Sequence, residues 1–506
     1  MKAGVPACLA FAIICSAPGS LFASLELGTP FADNMVLQRG CKIPVWGMAT
    51  PDAKVTVKFA DQAVSTKADR TGRWMAMLPK MDASKKNRTL EVVATGTSGT
   101  EKAEVVNVLV GEVWMCAGQS NANCPIWGAN PHYRERLGVP FLDMTMKPFV
   151  RLVKTDLVAS ATPRYGYRAK WIPMTPQTLN RGKMSPLPSA VGYLFALELA
   201  NALDIPVGLV DSSWGGTCID TWTPPAGYEG LDSLKDIAAA PLLSEEEFKK
   251  TNPNGRWFQQ RSALWNGMVA AYAPMALRGL VWYQGCNDNK EYKRYCDKMH
   301  ALYNGWSREF RNPEMKLYFA QLAPWGDANI PNIQMAQATF AAEEKNAGMA
   351  VINDVGCLTD IHPADKLTVA KRLALHALKR DYGFDWITAD SPTLRNWKVE
   401  NGTFVLSFND ARGWYLYNPD WRLDNGFEVC GTNGVWCAAE LANLVTTNVC
   451  PYKSNGIMKG AELVIRSPQV AEPKQLRYLH SRPWRGSLYS DAGLPLGAFA
   501  IGGDER

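Results

Sequence analysis

Histidine is scarce in this chain. Only five occur in 506 residues: His132, His300, His362, His376 and His480. There is no Cys-x-x-Cys pair and no His-rich cluster, so a structural zinc site is not expected. No long basic run is present and the formal net charge is only +6, which gives no reason to expect a nucleic-acid partner. A membrane-spanning helix needs about 20 apolar residues. The apolar stretch that starts at Ala7 is cut short by Pro18 and Gly19. No internal repeat or low-complexity segment is found.

What is present is ordinary for a water-soluble globular protein, with 47% hydrophobic and 20% charged residues. The length exceeds what one core fills, so about two to four domains are expected. Residues 1–23 carry Lys2, then the apolar segment, then small residues up to Ala23. That order is the pattern of a secretory signal peptide. Neither Cys8 nor Cys15 lies in a lipid-attachment motif. The expected mature chain is secreted or periplasmic, free of the membrane after cleavage. It keeps Cys41, Cys116, Cys124, Cys218, Cys286, Cys296, Cys357, Cys430, Cys437 and Cys450. An oxidising compartment permits disulfides among them, but spacing alone does not define the pairs.

Residues 24–107 read as short alternating strands separated by polar and Gly/Pro turns, the signature of a β-sandwich. Residues 108–390 alternate strands with helices, which predicts an α/β domain with a parallel sheet covered on both faces. Within it, Ala190 to Leu203 reads as an amphipathic helix, Ile205 to Asp211 as a buried strand, Leu367 to Leu378 as a last helix, and residues 224–254 as a loop-rich insertion. From residue 391 to 506 the pattern is again β-rich.

The stretch on which the rest turns is Val108 to Asn121. Val108, Leu109, Val110, Val113, Trp114 and Met115 read as a buried strand, and the pattern stops at Ala117-Gly118-Gln119-Ser120-Asn121. A flexible turn after a buried strand puts a hydroxyl at the carboxyl edge of a sheet, where open α/β sheets hold ligands. Ser120 is therefore the candidate nucleophile. Gly, Ser and Asn after a strand also make plain turns and helix caps, so the weight rests on the longer string. Gly111-Glu-Val-Trp-Met-Cys-Ala-Gly-Gln-Ser-Asn121 resembles the nucleophile block of the sialate O-acetylesterase family, within the SGNH (GDSL-like) hydrolases. It is not the Gly-x-Ser-x-Gly elbow of α/β-hydrolases, because Gln119 and Asn121 flank the serine.

Further blocks carry the same resemblance, which runs from about residue 28 to the end. Asp33 to Arg39 and Pro44 to Gly47 look like the family's opening, and Ser487 to Leu496 like its end. Ser213-Trp-Gly-Gly-Thr-Cys-Ile-Asp-Thr-Trp222 is similar to the second block. Trp282-Tyr-Gln-Gly-Cys-Asn-Asp288 is similar to a third, with Cys286 and Asn287 where the family has Glu and Ser. Cys286 is expected to be a small buried residue. Asp360-Ile-His-Pro-Ala-Asp-Lys366 resembles the last block.

An activated serine needs a base, which at neutral pH is normally histidine. His376 reads as a packed or solvated helix residue, and His132, His300 and His480 lie in polar stretches. His362 alone has a carboxylate in frame, Asp360, able to orient and charge-stabilise the ring. The wider SGNH pattern is Asp-x-x-His, and Thr359 occupies that position here, so the orienting group is either Asp360 or a backbone carbonyl. The tetrahedral oxyanion would be met by the backbone N–H of Ser120, by Gly216 and by the Gln284 amide. Gln119, Asn121, Trp214 and Trp222 are expected to contact substrate. Other tryptophans near the blocks, Trp127 and Trp325, could stack on a sugar, whereas Trp114 and Trp282 on strands belong to the core.

The resemblance implies a three-layer α/β/α catalytic domain of SGNH (flavodoxin-like) type between two β-domains. It implies a carbohydrate O-acetylesterase, acting through a serine acetyl-enzyme on an acetylated carbohydrate, with no metal and no cofactor. Sialate esters are the first expected substrate and acetylated plant polysaccharides such as xylan or xyloglucan the second. A catalytically silent carbohydrate-binding protein is the alternative from another class, and Ser120 with His362 in their blocks argues against it. The oligomeric state is not legible.

Overall fold

The computed structural model describes residues 24–97, 99–126, 149–179, 187–417, 425–446, 456–481 and 485–503. The expected signal peptide, Trp127, His132 and Cys450 lie outside the described residues.

The central path of the main sheet is six parallel strands among the described residues: β1 (Gly99–Gly118), β2 (Val150–Lys154), β3 (Val207–Ser213), β4 (Gly279–Tyr283), β5 (Lys316–Ala320) and β6 (Ala347–Ala350), with the short Val36–Gln38 also parallel to β1 off that path. Their spatial order is β2-β3-β1-β4-β5-β6, with Ile172–Pro173 added antiparallel at the β2 edge. The chain fills one side of β1 first and then crosses to the other. The carboxyl end of β1 is therefore a topological switch point, where open α/β sheets bind ligands.

The register there is tight. Ser213, Gly118 and Tyr283 lie side by side on β3, β1 and β4, so the three loops that follow begin at one level. The strands are buried along almost their whole length. Burial on both faces is why their sequences read as continuous apolar runs rather than as alternation.

β1 begins earlier than the apolar run at Val108 suggests. Its first half, mostly exposed, pairs antiparallel with Ser84–Gly96, and from Val108 onward every residue is buried. One strand thus belongs to both the N-terminal β region and the central sheet, crossing the position where the composition changes. Glu112 fastens the two. Fully buried, it accepts from Gln38 (2.9 Å), Arg39 (2.6 Å) and Arg278 (3.1 Å). Burial pushes its carboxyl up, but the Arg278 and Arg39 guanidinia outweigh that and hold it below the usual range. The opening motif and the nucleophile block are two halves of this one clasp.

The helices that matter are α1 (Ser120–Asn123), α2 (Ala190–Leu203), α3 (Tyr292–Glu309), α4 (Ile330–Glu343) and α5 (Lys366–Tyr382). α2 packs on β1, β2 and β3 with α5 laid against it. The expectation of an amphipathic α2 is therefore corrected: it is buried on nearly every side from Ala190 to Ala200, as a helix covered on two faces must be. Ser189 caps its start by accepting from Gly192 N. α5 starts on Asp365, whose side chain accepts from Thr368 N, and stops at the left-handed Gly383. α3 and α4 pack on each other.

Residues 224–254 hold only short turns and the helices Lys235–Ala239 and Glu245–Thr251, the latter opened by a Ser244/Glu247 capping box. One hydrophobic core runs from Leu27 to Leu378. A second, separate one from Phe404 to Ala498 lies among the antiparallel strands of the C-terminal region. Nine cysteines among the described residues stand as free thiols. No helix among the described residues is long and apolar enough to cross a membrane.

Candidate active site

Gly118 ends β1 with φ +134°, and a Cβ there would sit 2.3 Å from the Tyr283 carbonyl oxygen. Only glycine can make this exit. The turn is then bonded on both sides: Gln119 N donates to Tyr283 O (3.1 Å), and Trp214 N donates to Gly118 O (3.0 Å). Ser120 follows as the first residue of α1, half-buried.

The loop after β6 brings His362 over it. His362 Nε2 lies 2.8 Å from Ser120 Oγ, a separation at which an imidazole can take the hydroxyl proton. Asp360 Oδ1 accepts from the His362 backbone N–H at 2.8 Å and stands 3.6 Å from Nδ1. Burial lowers the ring's pKa, the Lys366 cation lowers it further, and Asp360 opposes both. The net shift is downward, so near pH 7 the ring is neutral with a lone pair to offer.

The residues either side of the serine do something other than expected. Gln119 and Asn121 are buried and were expected to touch substrate. Gln119 Oε1 accepts from Gly285 N (3.0 Å) and Asn287 N (3.4 Å), holding the exit of β4 against the exit of β1. Asn121 donates to Ile361 O (3.0 Å) and accepts from Lys366 Nζ (2.5 Å). Both position loops. Lys366 closes the motif that carries His362. It is fully buried, also donates to Pro363 O (2.7 Å) and lies over the Tyr283 ring. Desolvation brings its ammonium down to about 8.

Gln284 is likewise corrected as an oxyanion donor. Both of its amide hydrogens are taken, by Thr217 O (3.1 Å) and Asp288 Oδ2 (2.5 Å), and its Oε1 accepts from Tyr295 OH (2.9 Å). An amide has two hydrogens and neither is left for a substrate. Asp288 is buried, which pushes its carboxyl up. It also accepts from Ile219 N (3.0 Å) and faces Lys298 (3.5 Å). Lys298 bonds Asp220 at 2.8 Å. This network ties the second block to the third from beneath.

Of the two glycines in the second block, Gly215 is the one against the nucleophile: a Cβ on it would lie 3.4 Å from Ser120 Cβ. Gly216, the residue expected, turns away at φ +70° and faces Arg256 instead. Both had been legible as one Gly-Gly pair; only the turn geometry separates them. Trp214 is half-buried and stacks on Phe258 at 4.8 Å and 18°. Trp222 is fully buried, crosses Trp282 edge-on and donates to Thr217 Oγ1 (3.0 Å), so it is core rather than substrate-facing. Trp114 and Trp282 are core as well.

The other described histidines lie apart from the serine. His376 is fully buried on α5 beside Tyr318, and burial takes its pKa down to about 4. His480 is half-buried in the C-terminal region, its pKa lowered by burial and Arg477. His300 bonds Glu343 (2.8 Å), with Cys296 alongside. These three are the one group of potential metal ligands among the described residues, partly exposed between α3 and α4. The Cys286 thiol is buried and pushed up to about 12, which does not suit a nucleophile.

A hydroxyl bonded to a neutral imidazole at a sheet switch point is equipment for hydrolysing esters. Residues 110–374 match the family model described as carbohydrate esterase, sialic acid-specific acetylesterase. The chain is 29% identical over 450 residues to the sialate O-acetylesterase of Mus musculus, covering 76% of this chain and 80% of that one. It is 30% identical over 412 residues to that of Homo sapiens, covering 73% and 74%. The crystal structure of a carbohydrate acetylesterase from Xanthomonas citri superposes with a TM-score of 0.77 at 27% identity, over 94% of this chain and 99% of the other. The protein is thus a carboxylic ester hydrolase of α/β fold. It belongs to the sialic acid-specific acetylesterase family of carbohydrate esterases, and hydrolyses O-acetyl esters on sugars.

Proposed function

We propose that the protein is an exported sialate O-acetylesterase with an SGNH-type three-layer catalytic domain at residues 108–390, working through an acetyl-enzyme on Ser120. The observation that carries the mechanism is the 2.8 Å contact between Ser120 Oγ and His362 Nε2. His362 accepts the hydroxyl proton as Oγ bonds to the acetyl carbonyl carbon. The resulting oxyanion faces the backbone N–H groups at Ser120 and Gly215, the glycine nearest the nucleophile. Collapse expels the sugar oxygen, which leaves as a hydroxyl with the proton held on the imidazole. Water, deprotonated by the same ring, then releases acetate.

Export rests on residues 1–23, with their charged head, apolar core and small residues. The sialate assignment rests on the family and on the named activity of the mammalian relatives. The test of mechanism is Ser120→Ala. We expect acetate release from an O-acetylated sialic acid to fall by at least about 10³-fold with the fold intact. Near-normal turnover in the folded variant would exclude Ser120.

A further inference from the structure

We propose that Arg256 binds the carboxylate of an acidic sugar and so makes this esterase selective for sialic acids over neutral acetylated sugars. The inference rests on the sialate reading above and assigns it to one residue.

The second block turns at Gly215 and Gly216 immediately beside Ser120. Arg256 Nη1 stands 3.5 Å from where a Cβ on Gly216 would be, two residues along the contact path from the nucleophile. Its backbone is held in place. Arg256 precedes the turn Trp257–Gln259, and its carbonyl accepts from Gln259 N (2.9 Å). Gln259 in turn donates to Gly216 O and accepts from Cys218 N (3.1 Å). Trp257 Nε1 donates to Leu243 O (3.0 Å), and Phe258 stacks on Trp214. The segment is bolted to the same glycine turn that abuts the serine.

The guanidinium is exposed, and no carboxylate among the described residues pairs with it. It lies on the wall of an open groove of about 590 Å³ whose aromatic side is Trp214, Trp257 and Phe258. The other charges on that wall are Lys249, which donates to Gly255 O (2.9 Å), and Glu245. An unpaired guanidinium on an anchored stretch of backbone, next to an aromatic wall, suits a ligand with a planar anionic group on a pyranose, since an arginine fork matches a carboxylate in two parallel hydrogen bonds. A neutral xylan or xyloglucan ester offers hydroxyl and carbonyl acceptors but no carboxylate to fill that fork.

The test is a cycle of two enzymes and two substrates: wild type and Arg256→Met, each with an O-acetylated sialic acid and its C1 methyl ester, reading acetate release. In wild type, kcat/KM should favour the free acid by about tenfold or more, the scale of one charge-assisted hydrogen bond. In Arg256→Met that preference should shrink to about twofold or less. Arg256→Lys, which keeps the charge without the fork, should fall between the two. A preference unchanged in folded Arg256→Met, or no preference in wild type that still hydrolyses both substrates, would overturn the proposal. Wild type that cleaves p-nitrophenyl acetate but neither sialic acid derivative would instead overturn the sialate reading itself.

Discussion

Lys366 Nζ lies 2.5 Å from Oδ1 of Asn121, so the first residue of α5 is tied to the residue after the candidate nucleophile. The same ammonium holds Pro363 O, and Asn121 holds Ile361 O. Two side chains thereby clamp both neighbours of His362 onto the turn that carries Ser120. The alignment of the pair is thus set from behind, by buried groups. Because the cation is buried, it also depresses the imidazole pKa.

Replacing Lys366 with Met removes that charge. The His362 pKa then rises, and more of the ring is protonated at mildly acidic pH. We expect the acid limb of the kcat/KM profile to move to higher pH, with a larger loss at pH 6 than at pH 8. A purely structural role would lower activity equally at both, which a pH series distinguishes.

His362→Ala should cost about as much turnover as loss of the serine, on the order of 10³-fold or more. His376→Ala should leave kcat within a few-fold. His376 matters instead for acid stability. Its folded pKa, about 4, lies below the ordinary 6.5 because the ring is buried. Its neutral form therefore supports the fold above about pH 6.5, and that support is lost as pH falls from 6.5 towards 4. Urea midpoints between pH 7 and pH 4 should decline less steeply in His376→Leu than in wild type.

Asp360→Asn separates a triad from a serine–histidine pair. Its carboxylate is 3.6 Å from Nδ1 and part-exposed, longer than a good hydrogen bond. Such contacts often tighten only with substrate bound. We expect the triad outcome, a loss of more than about 30-fold in kcat. A smaller loss on folded protein would leave Asp360 as a brace for the loop, through its bond to the His362 backbone.

The buried strands and the last helix could be read in the residues, because apolar runs are local signals, whereas Ser120 and His362 stood out chiefly through the blocks that resemble the family. What the letters hid was direction. Gln119, Asn121 and Gln284 look like polar groups offered to a ligand, yet each is turned inward to join loops from different strands. A one-dimensional motif does not say which way an amide faces. Arg256 was invisible for another reason: it comes from a segment 40 residues beyond Gly216 that no motif marks, and the Gln259 bonds and the Phe258–Trp214 stack bring it to the site. Trp222 sits in a block of functional residues and is core all the same.

β1 runs unbroken from the N-terminal β region to the glycine before Gln119, with Glu112 clasped midway by Gln38 and Arg39. The esterase domain is therefore not a cassette. A joint placed at residue 108 would halve a strand and strip Glu112 of two of its partners. Arg278 would remain on it, so the cost lies within the roughly 3–5 kcal/mol of a broken buried pair, still a noticeable share of what holds most domains folded. The leading β region and the hydrolase are therefore expected to be inherited together, as one unit that a fusion joint at residue 108 would break.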